Sequence, residues 1–357
     1  MTFPLKTLGR LLILALEEEK WSHGISALLT SLCPAGLILS ARHCRSFEEP
    51  QCILREAQKA LGTRQFLGLK GDQIQPDPFR DFASSSLPRL PAPIDVAPKG
   101  IGTVERFGRL RGGLLALLGF NVDFSLSLDL TPADTTSALA SRTFSDHPVT
   151  VSACGSAYVA GLRQRGILPC AGHFPGIGSV AINSQEPQPI CPKSMADLWQ
   201  SDLLPFREMH ARLPLIWISH ASYKAYDFDL PRPASLSPGV VTGLLRDKLG
   251  YQGVAVADLE EIAQAWGGFD LSDAAVRALE AGCDALLVPA GKDWPEKILR
   301  SINHAVETGQ LAAERVNQSL ARIEGAEKKL AVPRTTGHQA VQQFAEDVKK
   351  WSEDFAG

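Results

Sequence analysis

Gly253-Val254-Ala255-Val256-Ala257-Asp258 is an apolar run that ends in a carboxylate. It lacks the polar alternation of a half-exposed strand, so it suits a strand buried on both faces, as in an all-parallel sheet. Six more short apolar runs, over 36–40, 65–69, 122–128, 168–173, 215–219 and 285–289, have the same character. Between them lie segments of helical period, over 49–61, 106–118, 149–166, 238–249 and 271–281. Strands alternating with helices predict a parallel sheet with helices packed outside it. The expected class is α/β, a TIM-type (β/α)8 barrel in a single domain. An eighth strand is less legible, and the N-terminal run Leu11 to Leu16 is the candidate for an irregular first strand.

Polar residues then fall at strand ends: Asp72, Asp129, His173, His220 and Asp258. In such a barrel the reacting groups gather where the C-terminal strand ends converge. A carboxylate there can attack a carbon centre or stabilise a cation, although Asp258 read alone is equally a helix cap.

The Pro/Ser-rich stretch 84–98 reads as an elaborated loop, because strand–helix alternation continues on both sides of it. Residues 294–329 are amphipathic and read as closing helices. The barrel is expected over 1–333 and a peripheral C-terminal helix with a frayed end over 334–357. A net charge of −3 without blocks of like charge argues against nucleic acid as a partner. The seven cysteines are scattered, without a C-x-x-C pair, which fits packed thiols better than a disulfide framework or a zinc site. No metal or cofactor is implied. Leu11 to Leu16 meets Glu17-Glu18-Glu19 without a small-residue cleavage site, so no signal peptide is expected. No run approaches the roughly 20 apolar residues of a membrane span. These readings predict a cytoplasmic monomer without membrane contact.

The stretch Gly172-His173-Phe174-Pro175-Gly176-Ile177-Gly178 resembles the K-H-F-P-G-H-G strand end of glycoside hydrolase family 3, in particular the bacterial β-N-acetylglucosaminidases. Other matches follow in order. Pro34 to Leu39 is similar to the early strand, Leu118 to Phe124 with Leu128-Asp129 to the third strand and its end, and Ser141-Arg142-Thr143-Phe144 to the R-x-F segment. Ile218-Ser219-His220-Ala221-Ser222-Tyr223 resembles the S-H-x-x-Y strand end. Pro233 to Ser237 and Thr242 to Gly253 resemble the segments leading into the strand that bears the nucleophile, and Ala281 to Leu287 a late strand. The resemblance implies retaining glycoside hydrolysis, with Asp258 as nucleophile and Arg142, His173 and His220 on the sugar. The implied ligand is an N-acetylglucosaminide or muropeptide. Each residue also has a plainer reading: a core histidine for His173, a helix-start residue for Arg142, and turn glycines for Gly176 and Gly178.

The family's acid/base pair, Asp-x-His, reads Asn183-Ser184-Gln185 here, and neither amide exchanges a proton at neutral pH. Gly172 stands where the family has a sugar-binding lysine, and Ile177 replaces a histidine. The D-Q-E-G-G-R-V strand end is represented only by Leu69-Lys70-Gly71-Asp72-Gln73-Ile74-Gln75. Glu186, Glu260 and Glu261 are conceivable replacement acids, with solvated loop carboxylates as the favoured reading. The sequence therefore predicts a β-N-acetylhexosaminidase-type hydrolase with impaired activity; the alternative is an inactive sugar- or muropeptide-binding or interaction protein on the same barrel.

Overall fold

The structure is a computed structural model of the 357-residue chain, and it describes residues 2–62, 64–70, 90–133, 139–183, 186–291, 293–331 and 338–356. Eight strands close into one parallel barrel in chain order. They are β1 (Leu12–Ala15), β2 (Gly36–Leu39), β3 (Phe66–Leu69), β4 (Val122–Ser127), β5 (Leu168–Phe174), β6 (Leu215–Ile218), β7 (Val254–Asp258) and β8 (Ala285–Pro289). The N-terminal run supplies β1, which pairs with β8 through Leu12↔Leu286 and with β2 through Ile13↔Gly36. The fold is the TIM-type barrel that the alternation predicts.

Local chemistry explains the wrapping. The Leu271–Ala281 helix starts where Asp270 accepts from the Ser272 amide at 2.7 Å and stops at Gly282, whose φ is +114°. Its Leu271, Ala274, Ala275, Ala278 and Leu279 are buried at helical spacing, forming the stripe that packs on the barrel. The segment 238–249 also forms a helix, Gly239–Lys248, but a wide one of π type.

At the N-terminal end of the barrel Asp284, fully buried, accepts from the Ala255 amide at 3.0 Å and meets three guanidiniums. Arg315 lies at 2.6 Å, Arg322 at 3.1 Å, and Arg246 completes the set. At the opposite mouth Phe124 and Trp217 pack edge to face, with ring centroids 5.8 Å apart. Glycine makes this layer possible: a Cβ at Gly68 would stand 2.3 Å from the Phe124 ring.

One feature lies beyond the sequence reading, and the C-terminal helix expected over 334–357 is docked on a barrel helix. A three-stranded sheet joins Ala181–Asn183, Glu186–Cys191 and Ser222–Tyr223, the last following β6. The helix His338–Ala356 docks on the Ile101–Leu118 helix, with Trp351 buried and stacked 6.2 Å from Phe107, and Asp354 paired to Arg106 at 2.8 Å. All seven cysteines are free thiols.

Candidate active site at the barrel mouth

Asp258 is the last residue of β7 and caps the Leu259–Trp266 helix. Its Oδ1 accepts the amides of Glu260 at 3.0 Å and Glu261 at 3.2 Å. Its Oδ2 accepts from Lys70 Nζ at 2.6 Å. The cap and the strand-end carboxylate, alternatives in the sequence, are thus one residue using different oxygens. Lys70 is the residue directly after β3, and it also approaches Glu260 at 3.8 Å and Glu261 at 3.9 Å.

Glu261 departs from the expectation of a solvated loop carboxylate. Only 8% exposed, it lies on the first turn of the capped helix. Its Oε2 is 3.3 Å from Trp217 Nε1 and 3.4 Å from His220 Nδ1. Glu260, by contrast, keeps a side chain 42% exposed. Burial pushes the Asp258 carboxyl up to about 6 against the pull of Lys70, with the nearby Glu261 charge adding to the rise. Burial acts the same way on Glu261, but its bond to His220 and the charge of Lys70 reverse the effect and hold it at about 2. Two carboxylates sharing a site titrate as a pair, and here the first proton on acidification goes to Asp258. Burial also opposes the charge of Lys70, but Asp258, Glu261 and Glu260 outweigh it and raise its affinity for the proton.

A second pair joins the ends of β4 and β5. Asp129, fully buried, accepts from His173 Nδ1 at 2.9 Å and from the Ile177 amide at 2.9 Å. Burial works against both charges, but their mutual attraction prevails, raising the His173 imidazole and lowering the Asp129 carboxyl. The Asp129 carboxylate on Nδ1 orients the imidazole ring. Arg142, in the turn Ala140–Arg142, is near enough to His173 to oppose its protonation.

His173, Arg142, Trp217 and Glu261 line one cavity, which runs back between β4 and the Ile101–Leu118 helix to Phe107, Arg111 and Tyr158. Asp258 and Lys70 are not among the described residues of its wall. His220 meets the site through Glu261, and its carbonyl accepts from Trp266 Nε1 at 2.7 Å. Of the degenerate positions, Asn183 lies in a strand opposite Glu186. Gln185, Ser184, Asp72 and Gln73 lie outside the described residues.

The sequence reading missed Lys70 and Arg111. Lys70 had a signal, since it stands at a strand end like Asp258 and His173. Arg111 had none of that kind, because its place in the cavity wall follows from which face of a helix turns inward.

Residues 82–326 match the family model of the glycosyl hydrolase family 3 N-terminal domain. A beta-hexosaminidase of Alkalilimnicola ehrlichii is 32% identical over 304 residues, 82% of this chain and 83% of that protein. Beta-hexosaminidase A of Pseudoalteromonas piscicida is 32% identical over 247 residues, 64% of this chain but 41% of that protein. Beta-hexosaminidase LpqI of Mycobacterium tuberculosis is 32% identical over 227 residues, 62% of this chain and 57% of its own length. The match thus spans about half the length of the last two. Among solved structures, a family 3 β-N-acetylglucosaminidase from Paenibacillus sp. superposes with a TM-score of 0.85 at 23% identity, covering 99% of this chain and 69% of that one. That likeness concerns the fold. The structure of M. tuberculosis LpqI gives 0.79 at 25% identity, with 91% and 94% covered.

Proposed function

Because the chain belongs to glycosyl hydrolase family 3, we propose that it is a retaining β-N-acetylhexosaminidase-type protein with Asp258 as nucleophile and impaired proton donation. Its substrates are N-acetylglucosamine-containing glycosides of the cell-wall or muropeptide class. The observation that carries this reading is Asp258, a buried carboxylate at a C-terminal strand end, at the same barrel mouth as the His173–Asp129 pair. Retention needs a nucleophile on one side of the sugar and a proton donor on the other. Ionised above about 6, Asp258 suits the first role at neutral pH. The second is unfilled at the positions where the family carries it, since Asn183 and Gln185 do not titrate. Glu261, held at about 2, is already ionised and has no proton to give. A missing general acid lowers rates by roughly 10²–10⁴. Aryl glycosides with good leaving groups are therefore the substrates of choice. The guanidinium of Arg142 and the imidazole of His173 are suited to sugar hydroxyl or amide oxygens in the cavity they line.

The test is intact-protein mass after incubation with an activated fluorinated N-acetylglucosaminide. A glycosyl adduct on the wild type, absent from Asp258→Asn, is expected; no adduct together with background hydrolysis of an aryl glycoside sinks the enzymatic reading. A second reading, a silent sugar- or muropeptide-binding protein, is favoured by the contact of Lys70 on Asp258. It predicts sugar-dependent thermal stabilisation without turnover. Both readings take the protein as a cytoplasmic monomer. Among the described residues no helix is long and apolar enough to cross a membrane.

A further inference from the structure

Both oxygens of Asp258 are engaged. Oδ1 is committed to the helix cap, through the amides of Glu260 and Glu261. Oδ2 is therefore the oxygen left for an incoming carbon, and Lys70 Nζ covers it at 2.6 Å. The same ammonium lies 3.8 Å from Glu260, 3.9 Å from Glu261 and 5.9 Å from the centroid of the Trp217 ring. Three carboxylates and a π face make a cage for a primary ammonium ion, and β3 delivers that ion on a flexible stem.

We propose that Lys70 is a tethered occupant covering the Asp258 oxygen that a sugar must reach, and that the cage around it is a binding site for a small primary ammonium ion. The proposal rests on Asp258 being the nucleophile. In the glycosylation step Oδ2 attacks the anomeric carbon while the bond to the leaving oxygen breaks, and that oxygen departs with the electron pair. An Oδ2 lone pair bound to an ammonium is not directed at carbon. The transition state is also cationic at that carbon, so a fixed positive charge beside it repels what Asp258 should stabilise. Lys70 does not serve as the missing acid, because its surrounding carboxylates hold its proton more tightly than usual.

Wild type, Lys70→Ala and Lys70→Gln are compared for dinitrophenolate release from dinitrophenyl N-acetyl-β-glucosaminide, and for thermal stabilisation by N-acetylglucosamine. Lys70→Ala should release dinitrophenolate at least about tenfold faster than wild type, the effect of about 1.4 kcal/mol in the barrier. Ethylammonium chloride, against sodium chloride at equal ionic strength, should return that rate towards the wild-type value. Lys70→Gln keeps a donor towards Asp258 while removing the charge, and it provides the test if Lys70→Ala does not fold. Equal rates and equal sugar binding in wild type and variants overturn the proposal, as does indifference to ethylammonium. If that happens while Asp258→Asn is silent, the nucleophile reading survives alone. If no protein releases dinitrophenolate but the variants gain sugar binding that ethylammonium competes away, the occupant role stands and the nucleophile reading falls.

Discussion

The two ends of the barrel carry charge clusters of opposite design. At the N-terminal end one carboxylate, Asp284, sits among Arg246, Arg315 and Arg322. At the mouth one ammonium, Lys70, sits among Asp258, Glu260 and Glu261. The lower cluster is tied to the frame by backbone carbonyls and a serine hydroxyl. Arg246 donates to the carbonyls of Tyr251 at 2.9 Å and Gly253 at 2.8 Å, and Ser319 donates to Asp284 at 3.1 Å. The upper cluster leaves two buried carboxylates to divide one lysine, and their proton affinities are driven apart to about 6 and about 2. A satisfied buried ion holds strands together, whereas a surplus of like charge in one pocket costs stability and is characteristic of a reactive or binding site.

Removing the anion from each end separates the two designs. Asp284→Ala strands three guanidiniums at the barrel base and should cost about 3–5 kcal/mol in urea denaturation, the cost of breaking a buried ion network from one side. Asp258→Asn should behave in the opposite way. Asparagine still caps the helix, the crowding with Glu261 is relieved, and Lys70 retains two carboxylates. At pH 7 the variant should be at least as stable as wild type, by up to about 2 kcal/mol. A large loss from Asp258→Asn would show that the mouth is as structural as the base.

Acid sharpens the same contrast. In the fold Asp258 titrates at about 6 rather than its usual 3.8, so between those values the native chain holds a proton that the unfolded chain lacks. Its contribution to stability therefore rises as the pH falls from above 6 to 3.8 and then levels off. Glu261 works the other way: its stabilisation is present above 4.5 and is lost as the pH falls towards 2. Stability measured in steps from pH 7 to 4 should increase for wild type relative to Asp258→Asn. A difference that stays flat across this window would mean that Asp258 is not strained by its burial.

The barrel was legible because buried parallel strands write themselves as unbroken apolar runs. Even β7 was placed within one residue, the run 253–258 forming the strand Val254–Asp258. The paired strands Ala181–Asn183 and Glu186–Cys191 were not legible, since Pro187 and Pro189 interrupt any strand pattern. Asp258 and His173 can be singled out in the sequence as candidates because each closes an apolar run and stands in a recognisable motif. Lys70 closes such a run too, but lysine at a strand end reads as ordinary solubility until the fold brings Asp258 across the mouth. Glu261 was misjudged for a related reason: its burial depends on Trp217 and His220 arriving from β6 and the residues after it.

The smallest expected effect tests how far the upper cluster extends. Glu260 approaches Lys70 at 3.8 Å but keeps a side chain 42% exposed, so water screens the pair. Its charge on the first helical turn is favourable to the helix dipole, while its repulsion with Asp258 and Glu261 is not. These terms oppose each other, and Glu260→Gln should change stability by less than about 0.5 kcal/mol. Because the variant thins the cage by one anion, it should weaken ethylammonium binding in the Lys70→Ala background by no more than about 2.3-fold, the equivalent of that energy. A much larger loss of ethylammonium affinity would make Glu260 a full wall of the cage and move the weight of the site from Asp258 outward to the helix.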